Sequence, residues 1–384
     1  MRLGIDASNL LDGGGVTHLE ELLRAAEPSS FGFSEVVVWG RSKTLDQLSH
    51  RPWLRLVPEP SLDGNLLART KWQVTSLDRL AREARCDLLF VPGGSYSGSF
   101  RPFVSMARNL VPFDAKASRL YGISWMRLKF ALLRRVQSRT FRSASGVIFL
   151  TSTAQSVVTS VTGPLVGRTE VIPHGISDRF LREVQPQEPL SRYSESRPFR
   201  LLYVSRLEPY KHQPTVISTV LKLREEGYPV VLDLVGSGGG GARQQIERQL
   251  HAEDREGVAV TYHGNVPYAD LPALYHRADA FVFASSCENL PNILLEAMSA
   301  GLPIASSNRS VMPEVLGDAG LYFDPESPES MASALRDLLA NPERRRQLAI
   351  VASERVRDRT WVRCAERTLA FLGSIGMETH SGGG

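Results

Sequence analysis

Residues 280–298 read AFVFASSCENLPNILLEAM. The first four residues are apolar and predict a buried strand, and residues 292–300 have the spacing of a helix. Glu288 therefore follows the carboxyl end of a strand, and Glu296 lies about one turn into the next helix. Because ligands of parallel α/β sheets bind beyond the carboxyl ends of the strands, this strand–loop–helix unit is a candidate ligand site.

The alternation of strand and helix continues in both directions from this unit. Strands are predicted at 3–6, 35–39, 87–91, 103–106, 146–150 and 170–172, and then at 200–205, 230–236, 258–264, 280–285 and 302–307. Helices are predicted at 18–26, 214–226, 243–251, 271–277, 292–300 and 361–375. Strands alternating with helices predict parallel sheets covered by helices on both faces.

A break in this rhythm indicates two domains. Residues 181–198 are rich in Pro, Ser and Glu and predict an interdomain connection. We predict two Rossmann-like α/β domains, 1–180 and 181–358, facing across a deep cleft, with a helix at about 359–376 packing back on the first. The polar, Gly-rich residues 377–384 are predicted to be disordered.

The chemistry of the 288–296 segment suits a nucleotide sugar. Backbone N–H groups near Asn292 and Ile293 would open the helix and suit a phosphate. The carboxylates of Glu288 and Glu296 can accept directional hydrogen bonds from sugar hydroxyls. The alternative is an ordinary surface loop and helix with two solvated acids.

Two cations follow the first strand of the second domain, where the sequence reads YVSRLEPYK. Arg206 and Lys211 could neutralise a diphosphate, including the charge that grows on a leaving group. A solvated basic turn is the alternative. Glycine runs at 13–15 and 236–241 would let a backbone approach a ligand closely, although neither has the spacing of a dinucleotide fingerprint.

Together these motifs resemble the C-terminal domain of the retaining GT-B glycosyltransferases of family four, also known as glycosyl transferases group 1. The resemblance covers residues 200–325. It rests on the Arg206 and Lys211 pair, on the Gly-centred turn His263-Gly264-Asn265-Val266, on the spacing of Glu288 and Glu296, and on the later segments AGLPIASS and MPEVLGDAGLYFDP. The first half matches more loosely, through GIDASNLLDGGGV, ARNLVPF and VIPHG.

The resemblance implies a role for each matching residue. Arg206 and Lys211 bind the donor diphosphate, with Glu296 on the ribose hydroxyls and Glu288 on the transferred sugar. The remaining implied donor contacts are Asn289, Leu290, Pro291, Asn292 and Ile293, the turn Gly264, Asn265 and Val266, and Gly14 and Gly15 from the first domain. The family needs no metal, and the chain contains no Asp-x-Asp motif that would hold one beside a diphosphate.

Two departures from the family pattern leave the donor sugar open. Residues 289–291 read Asn-Leu-Pro where the family often has Gly-Phe-Gly. Many members also carry a His near the transferred sugar, where this chain reads Ala107-Arg108-Asn109-Leu110. Asn109 can hydrogen-bond a sugar hydroxyl but cannot relay a proton. His174, in VIPHG, is a second candidate sugar or acceptor contact, with a structural turn residue as its alternative.

A basic segment suggests a membrane partner. No acidic residue occurs between Asp114 and Glu170, while that interval holds nine cations. Residues 116–142 also carry two apolar stripes with helical spacing, one of which could face the core and the other an acyl boundary. The alternatives are a core helix with solvated arginines and a basic cleft for an acidic acceptor such as a lipid-linked diphosphate.

Composition limits the remaining classes. Cys86, Cys287 and Cys364 are widely separated, so neither a disulfide framework nor a zinc site is predicted. No apolar run is long enough to span a membrane and no secretory leader is recognisable. We therefore expect the protein in the cytoplasm, where the inner face of the cell membrane is the candidate docking surface. A net charge of +4 and the lack of a recognised module disfavour a nucleic-acid partner.

The sequence thus predicts an enzyme that transfers a sugar, with retention, from a nucleoside-diphosphate sugar to a lipid-linked or polysaccharide acceptor, without metal or other cofactor. A nucleotide-sugar epimerase of the same fold is one alternative, although its acid and base groups are not evident. A non-catalytic protein that binds nucleotide sugars is another, against which the intact set of Arg206, Lys211, Glu288 and Glu296 argues.

Overall fold

The computed structural model describes residues 1–11 and 13–381. Two compact units make up the chain. Unit 1 consists of Met1–Gly175 together with the C-terminal segment that begins at Arg359, and unit 2 is Ile176–Asp358. The division lies at Gly175, near the position 180 given by the sequence pattern.

Unit 1 is built on a seven-stranded parallel sheet with the order β3-β2-β1-β4-β5-β6-β7. Its strands are β1 Arg2–Asp6, β2 Glu35–Gly40, β3 Leu54–Pro58, β4 Leu88–Val91, β5 Phe103–Met106, β6 Gly146–Phe149 and β7 Arg168–Val171. The three strands β4, β5 and β6 are buried along their whole length. Such strands, buried on both faces, place the core of unit 1 on either side of the sheet.

The helices of unit 1 connect these parallel strands. They are α1 Gly14–Ala25, α2 Ser42–Leu45, α3 Leu66–Trp72, α4 Asp78–Glu83, α5 Ala115–Arg119, α6 Trp125–Ser143 and α7 Ser152–Thr162. A π-helical turn, Gln73–Leu77, joins α3 to α4. Polar side chains cap several helices: Ser124 accepts from the Arg127 amide at 3.4 Å, and Thr151 accepts from the Ala154 amide at 3.1 Å.

Unit 2 repeats the arrangement with a six-stranded parallel sheet of order β10-β9-β8-β11-β12-β13. Its strands are β8 Phe199–Val204, β9 Val230–Val235, β10 Val260–Gly264, β11 Ala280–Phe283, β12 Ile304–Ser307 and β13 Leu321–Phe323. Its helices are α8 Gln213–Glu225, α9 Gly240–Glu253, α10 Leu271–Arg277, α11 Asn292–Ser299, α12 Met312–Leu316, α13 Pro328–Ala340 and α14 Pro342–Val356. Strands β8 and β11 are parallel neighbours in the middle of this sheet, so their carboxyl ends lie side by side.

The segment predicted as an interdomain connection, 181–198, is part of unit 2. It has little regular structure, but side chains fix its backbone. The guanidinium of Arg182 donates to the His276 carbonyl, and that of Arg345 donates to the Glu188 carbonyl. Its irregular composition predicted the lack of helix and strand, but not these long-range contacts.

The final helix, α15 Trp361–Ser381, belongs to unit 1 and packs against α1 and β4. The prediction of disorder from residue 377 is wrong for residues 377–381. Helix α15 continues there because Gly376 packs on the Met1 side chain and Glu378 pairs with Arg168 at 2.7 Å. Residues 382–384 lie outside the described part of the chain.

Candidate functional site

In unit 2 the two predicted ligand-binding loops are tied together. The first loop follows β8 and the second follows β11. The Ser286 amide donates to the Tyr210 carbonyl at 2.8 Å, and the Ser286 hydroxyl lies 2.9 Å from His212 Nε2. Within the first loop, Gln213 Nε2 donates to the Arg206 carbonyl at 2.7 Å. Neighbouring strands thus present their loops as one fixed surface.

Lys211 and Glu288 form an ion pair across these loops. Lys211 is only 6% exposed, and its ammonium also lies 5.4 Å from the ring centres of Tyr210 and Phe283. Burial in aromatic surroundings strengthens the attraction between the two charges because water screens it little. The structure therefore brings together Lys211, which the resemblance assigns to the diphosphate, and Glu288, which it assigns to the transferred sugar.

The backbone around Glu288 is held on both sides. The Ser310 hydroxyl lies 3.2 Å from the Glu288 amide and donates to the Glu288 carbonyl at 3.0 Å. Ser310 itself has a positive φ of 55°, a conformation that costs free energy for a residue other than glycine. Glu288 is therefore positioned by a strained neighbour that the sequence pattern did not reveal.

Arg206 differs from Lys211 in its surroundings. It is exposed, and no ion pair engages it among residues 1–11 and 13–381. An exposed guanidinium at the carboxyl end of β8 is available to an anionic ligand, since its planar donors match phosphate oxygens.

Glu296 is buried one turn inside α11, with 5% of its surface exposed. The Tyr275 hydroxyl donates to its Oε2 at 2.9 Å. Burial raises the pKa of Glu296 to about 7, while hydrogen bonds from Tyr275 and Tyr268 and the charge of Arg179 act in the opposite direction. This carboxyl is therefore poised between its two protonation states near neutral pH.

The intervening residues Asn289, Leu290 and Pro291 are buried, so their contribution to a ligand would come from the backbone. Pro291 occupies the position before α11 and provides no side-chain cap to the first-turn amides of Asn292 and Ile293. An uncapped helix start at this edge of the sheet suits an anionic group.

The predicted glycine turn lies at the end of β10. Gly264 has a φ of +63°, and its carbonyl accepts from the Gly236 amide at 2.8 Å, while Asn265 is exposed and Val266 is half-buried. Gly236 is required by space, since a Cβ there would lie 1.7 Å from the Ser205 carbonyl oxygen. The run 236–241 therefore starts with a glycine that lets the β9 loop approach the β8 loop.

Unit 1 holds the other predicted site residues. Gly14 and Gly15 open α1, beyond the carboxyl end of β1. Asn109 is exposed, and its Oδ1 accepts from the Val111 amide at 3.1 Å, which closes a local turn. His174 is buried and stacks on His18, with ring centres 4.4 Å apart, and on Trp361 at 5.7 Å. The structure thus places His174 in an aromatic stack.

Sequence reasoning missed several residues that shape these sites: Tyr275, Ser310, His212 and Gln213 in unit 2, and His18 and Trp361 in unit 1. Tyr275, Ser310 and Trp361 are distant in sequence from the residues that they contact. His212 and Gln213 directly follow Lys211, and His18 follows the glycine run, but no local pattern marks them. In the described part of the chain, no group of three or more His, Cys, Asp or Glu side chains could hold a metal ion.

The topology of both units is that of a GT-B protein. The chain superposes on sucrose-phosphate synthase from Thermosynechococcus elongatus with a TM-score of 0.77 and 18% identity, covering 100% of each chain. Residues 188–355, which contain Arg206, Lys211, Glu288 and Glu296, match the family model of glycosyl transferases group 1. The predicted GT-B fold is confirmed, and the family match covers most of the region that carries the motifs quoted for the resemblance.

Two curated relatives are similar to part of the chain. O-antigen chain mannosyltransferase B of Escherichia coli is 31% identical over 171 residues, which are 44% of this chain and 44% of the relative. The GDP-mannose-dependent alpha-(1-6)-phosphatidylinositol monomannoside mannosyltransferase of Mycobacterium tuberculosis is 30% identical over 239 residues, 58% of this chain and 60% of the relative. The chain thus spans about half the length of the curated relatives it matches.

Proposed function

We propose that the protein transfers a sugar from a nucleoside-diphosphate sugar to an acceptor, with retention at the anomeric carbon and without a metal ion. The observation that carries the proposal is the Lys211–Glu288 ion pair, which lies together with Glu296 in the region that matches the family model. Both curated relatives are mannosyltransferases by name, and one is named for its GDP-mannose dependence.

The roles follow from the chemistry of each group. Arg206 and Lys211 stabilise the diphosphate as it leaves with increasing negative charge, which is the task a metal performs in other enzymes. Lys211 exchanges part of its contact with Glu288 for a phosphate oxygen when the donor binds. The carboxylate of Glu288 is then free to accept hydrogen bonds from hydroxyls of the transferred sugar.

Glu296 binds the ribose, because its carboxyl accepts from Tyr275 at Oε2 and has further lone pairs for hydroxyl donors. The acceptor hydroxyl attacks on the face from which the diphosphate departs, so the protein contributes positioning and charge stabilisation. No covalent intermediate on Glu288 is required, since Arg206 and Lys211 account for departure of the leaving group.

Calorimetric titration with UDP, GDP and ADP in EDTA tests the donor site, followed by transfer from the sugar conjugates of the nucleotide that binds. We expect one nucleotide to bind without metal, and NMR of the product to show the anomeric configuration of the donor. Binding that appears only when Mg²⁺ or Mn²⁺ is added would overturn metal independence. An inverted product would overturn retention.

We further propose that the acceptor is lipid-linked and that unit 1 docks on an anionic membrane through residues 116–142. The beginning of α6 exposes large apolar side chains to solvent: Trp125 is 74% exposed, Leu128 59% and Leu132 60%, and the preceding Ile123 is fully exposed. Within residues 123–132 only Phe130 is buried. A soluble helix rarely exposes such a patch unless it has a partner.

Beside this apolar face lies a basic groove of about 700 Å³. Its arginines are Arg119, Arg127, Arg134, Arg135, Arg139 and Arg142. No acidic side chain lines the groove among the residues that the structure describes. Apolar side chains next to a single-sign basic groove fit an anionic lipid surface, where each cation adds about 1 kcal/mol. No helix of the described chain is long and apolar enough to cross a bilayer.

Co-sedimentation with anionic vesicles tests the docking. Replacing Arg134, Arg135 and Arg139 by Glu is expected to weaken vesicle binding by about 100-fold or more, given about 1 kcal/mol for each cation. The matched control replaces Arg248, Arg255 and Arg357, which are exposed on unit 2, by Glu with the same change in net charge. Equal vesicle binding by the two triple variants would overturn the proposed docking face.

A further inference from the structure

Three residues other than glycine have a positive φ in the part of the chain that the structure describes: Arg85, His212 and Ser310, with φ of 54°, 51° and 55°. This left-handed conformation is unfavourable for a residue with a Cβ and persists where the surrounding structure holds it. Arg85 is exposed and follows α4 in unit 1. The side chains of His212 and Ser310, in contrast, both contact the loop that follows β11 in unit 2.

The His212 ring reaches from the loop after β8 to the loop after β11. Its Nε2 lies 2.9 Å from Ser286 Oγ. Lys211 directly precedes His212 in sequence, and Glu288 lies two residues after the bonded serine. The contact therefore joins the two chain segments that carry the ion pair. Because Ser310 holds the backbone of Glu288, a strained residue fixes each end of segment 286–288.

The hydrogen bonds at Ser286 are satisfied when the His212 ring donates. Burial lowers the pKa of His212, against the charges of Glu326 and Asp324, so the ring is neutral at neutral pH and has a single N–H donor. The Ser286 hydroxyl donates to the Tyr210 carbonyl at 3.3 Å. Its oxygen can then accept from Nε2–H of the ring. The tautomer with its hydrogen on Nε2 thus satisfies both side chains.

We propose that His212 is a positioning residue that holds Lys211 and Glu288 in the arrangement needed for transfer. This inference rests on the proposed function, which assigns those two groups to the diphosphate and to the sugar. Glycine would adopt the backbone conformation at position 212 without strain, but it has no side chain to reach Ser286. The strain at this position accompanies a contact that orders two loops. Such order matters because a displacement of about 1 Å can slow a reaction about 100-fold.

His212→Gly removes the ring and the backbone strain together. Because relief of strain offsets the lost hydrogen bond, we expect the melting temperature to change little, while kcat for transfer falls by about tenfold or more. Nucleotide affinity, measured by calorimetry, should fall less than kcat. Arg85→Gly is the matched control, since it relieves the same kind of strain away from these loops and should leave kcat unchanged. An unchanged kcat in His212→Gly would overturn the inference.

His212→Gln separates the hydrogen bond from the packing of the ring. The amide nitrogen of glutamine can take the place of Nε2, so this variant should recover most of the rate that His212→Gly loses. Ser286→Ala removes the other partner and should slow transfer to a similar degree. Adding Ser286→Ala to His212→Gly should have little further effect, because the contact is already lost. A glutamine variant as slow as the glycine variant, or additive losses in the double variant, would overturn the inference.

Hydrogen exchange tests the same contact without turnover. The Ser286 amide donates to the Tyr210 carbonyl at 2.8 Å, so its exchange reports separation of the two loops. Loss of one neutral hydrogen bond in His212→Gly should speed this exchange by about fivefold, while His212→Gln and Arg85→Gly stay close to the wild type. Unchanged exchange in His212→Gly would overturn the inference whether or not the protein transfers sugar. Faster exchange in a chain that transfers no sugar would support the contact between the loops and count against the proposed function.

Discussion

The Lys211 ammonium and the Glu288 carboxylate form an ion pair, so removal of one charge leaves the other without its partner. The change Glu288→Gln keeps the shape of the side chain and one acceptor oxygen but removes the charge. Because Glu288 is assigned to the transferred sugar and Lys211 to the diphosphate, we expect transfer to fall by about 100-fold or more, with nucleotide affinity retained. Initial rates of transfer and calorimetric nucleotide titration measure the two effects.

The comparison that decides this assignment is between nucleotide and nucleotide sugar. In Glu288→Gln the affinity for the nucleotide sugar should fall toward that for the nucleotide alone. Equal loss of affinity for both would place Glu288 on the nucleotide and contradict its assignment to the sugar. A melting curve must accompany the titrations, because the change leaves Lys211 buried without its partner.

The raised pKa of Glu296 makes stability depend on pH. A carboxyl with a pKa of about 7 in the folded chain and 4.5 as its ordinary value binds protons more tightly when folded. Its contribution to the free energy of unfolding is therefore fully present below pH 4.5. That contribution falls by about 3 kcal/mol in all as the pH rises through 7. We expect Glu296→Gln, which stays neutral, to be more stable than the wild type at pH 8.

Denaturant unfolding at several pH values checks this expectation. The stability difference between Glu296→Gln and the wild type should grow from pH 4.5 to 7 and remain constant above it. A difference that shrinks over this range would mean that the folded protein prefers the charged carboxylate. Glu326→Gln, at an exposed acid, is the matched control and should show no such trend.

The sequence identified the charged residues of the candidate site but not the residues that position their side chains by hydrogen bonds. Glu288, Glu296, Arg206 and Lys211 share short motifs with regular spacing, so a single segment reveals each. The hydroxyl of Tyr275, on α10, reaches Glu296, on α11, although the two residues are 21 positions apart in sequence. Such partners depend on tertiary packing, which has no signature in a local pattern.

At the scale of elements, the buried strands were predicted well, and two of the four edge strands were missed. The predictions at 103–106 and 271–277 coincide with β5 and α10. The sequence analysis omitted β3 and β13, which form an edge of their sheets. Strand β3 alternates half-buried and exposed residues and ends in Pro58, and β13 has only three residues. Hydrophobic patterning is weak wherever a strand has one neighbour and little buried surface.

Helix α15 packs closely on β6, and Gly146 is the point of closest approach. A Cβ at position 146 would lie 2.4 Å from Ile375 Cδ1 and 3.0 Å from Phe371. Gly146→Ala must therefore shift the Ile375 side chain and crowd the Phe371 ring, and we expect a loss of about 1–3 kcal/mol in unfolding free energy. Denaturant unfolding measures it.

Gly241→Ala is the matched control for this prediction. Gly241 lies in α9 with ordinary helical φ, and no atom would contact a Cβ there within 4 Å. The same substitution at this position should be neutral or stabilising by up to about 1 kcal/mol, because alanine favours the helix. Equal destabilisation at both positions would show that α15 is not held tightly against Gly146.

At the scale of the whole molecule, unit 2 is inserted in sequence between two segments of unit 1. Unit 1 is discontinuous, because its last helix comes from a segment that follows unit 2. The buried face of α15 includes Leu369, Phe371, Leu372 and Ile375. The amphipathic spacing of residues 361–375 predicted a helix, and the completed second domain suggested its return to the first. The sheet order of each unit could not be obtained in that way, since it depends on long-range pairing.

This discontinuity predicts different behaviour of the two units as separate fragments. Residues 176–358 form a continuous chain with its own sheet and contain all four charged residues of the proposed donor site. We expect this fragment to unfold cooperatively in denaturant and to bind nucleotide within about tenfold of the full chain, without transferring sugar, because affinity follows from contacts within one unit.

Residues 1–175 alone should behave oppositely. Without α15, the apolar surface of β4, β6 and α1 that it covers is open to water, and exposed patches of this kind promote aggregation. Joining residues 359–381 to residue 175 through a flexible linker should restore solubility and cooperative unfolding, because closing a loop costs little extra as it lengthens. A fragment 1–175 that is as soluble and cooperative as the linked form would show that α15 is dispensable for unit 1. Failure of fragment 176–358 to bind the nucleotide that the full chain binds would show that the donor site needs residues of unit 1.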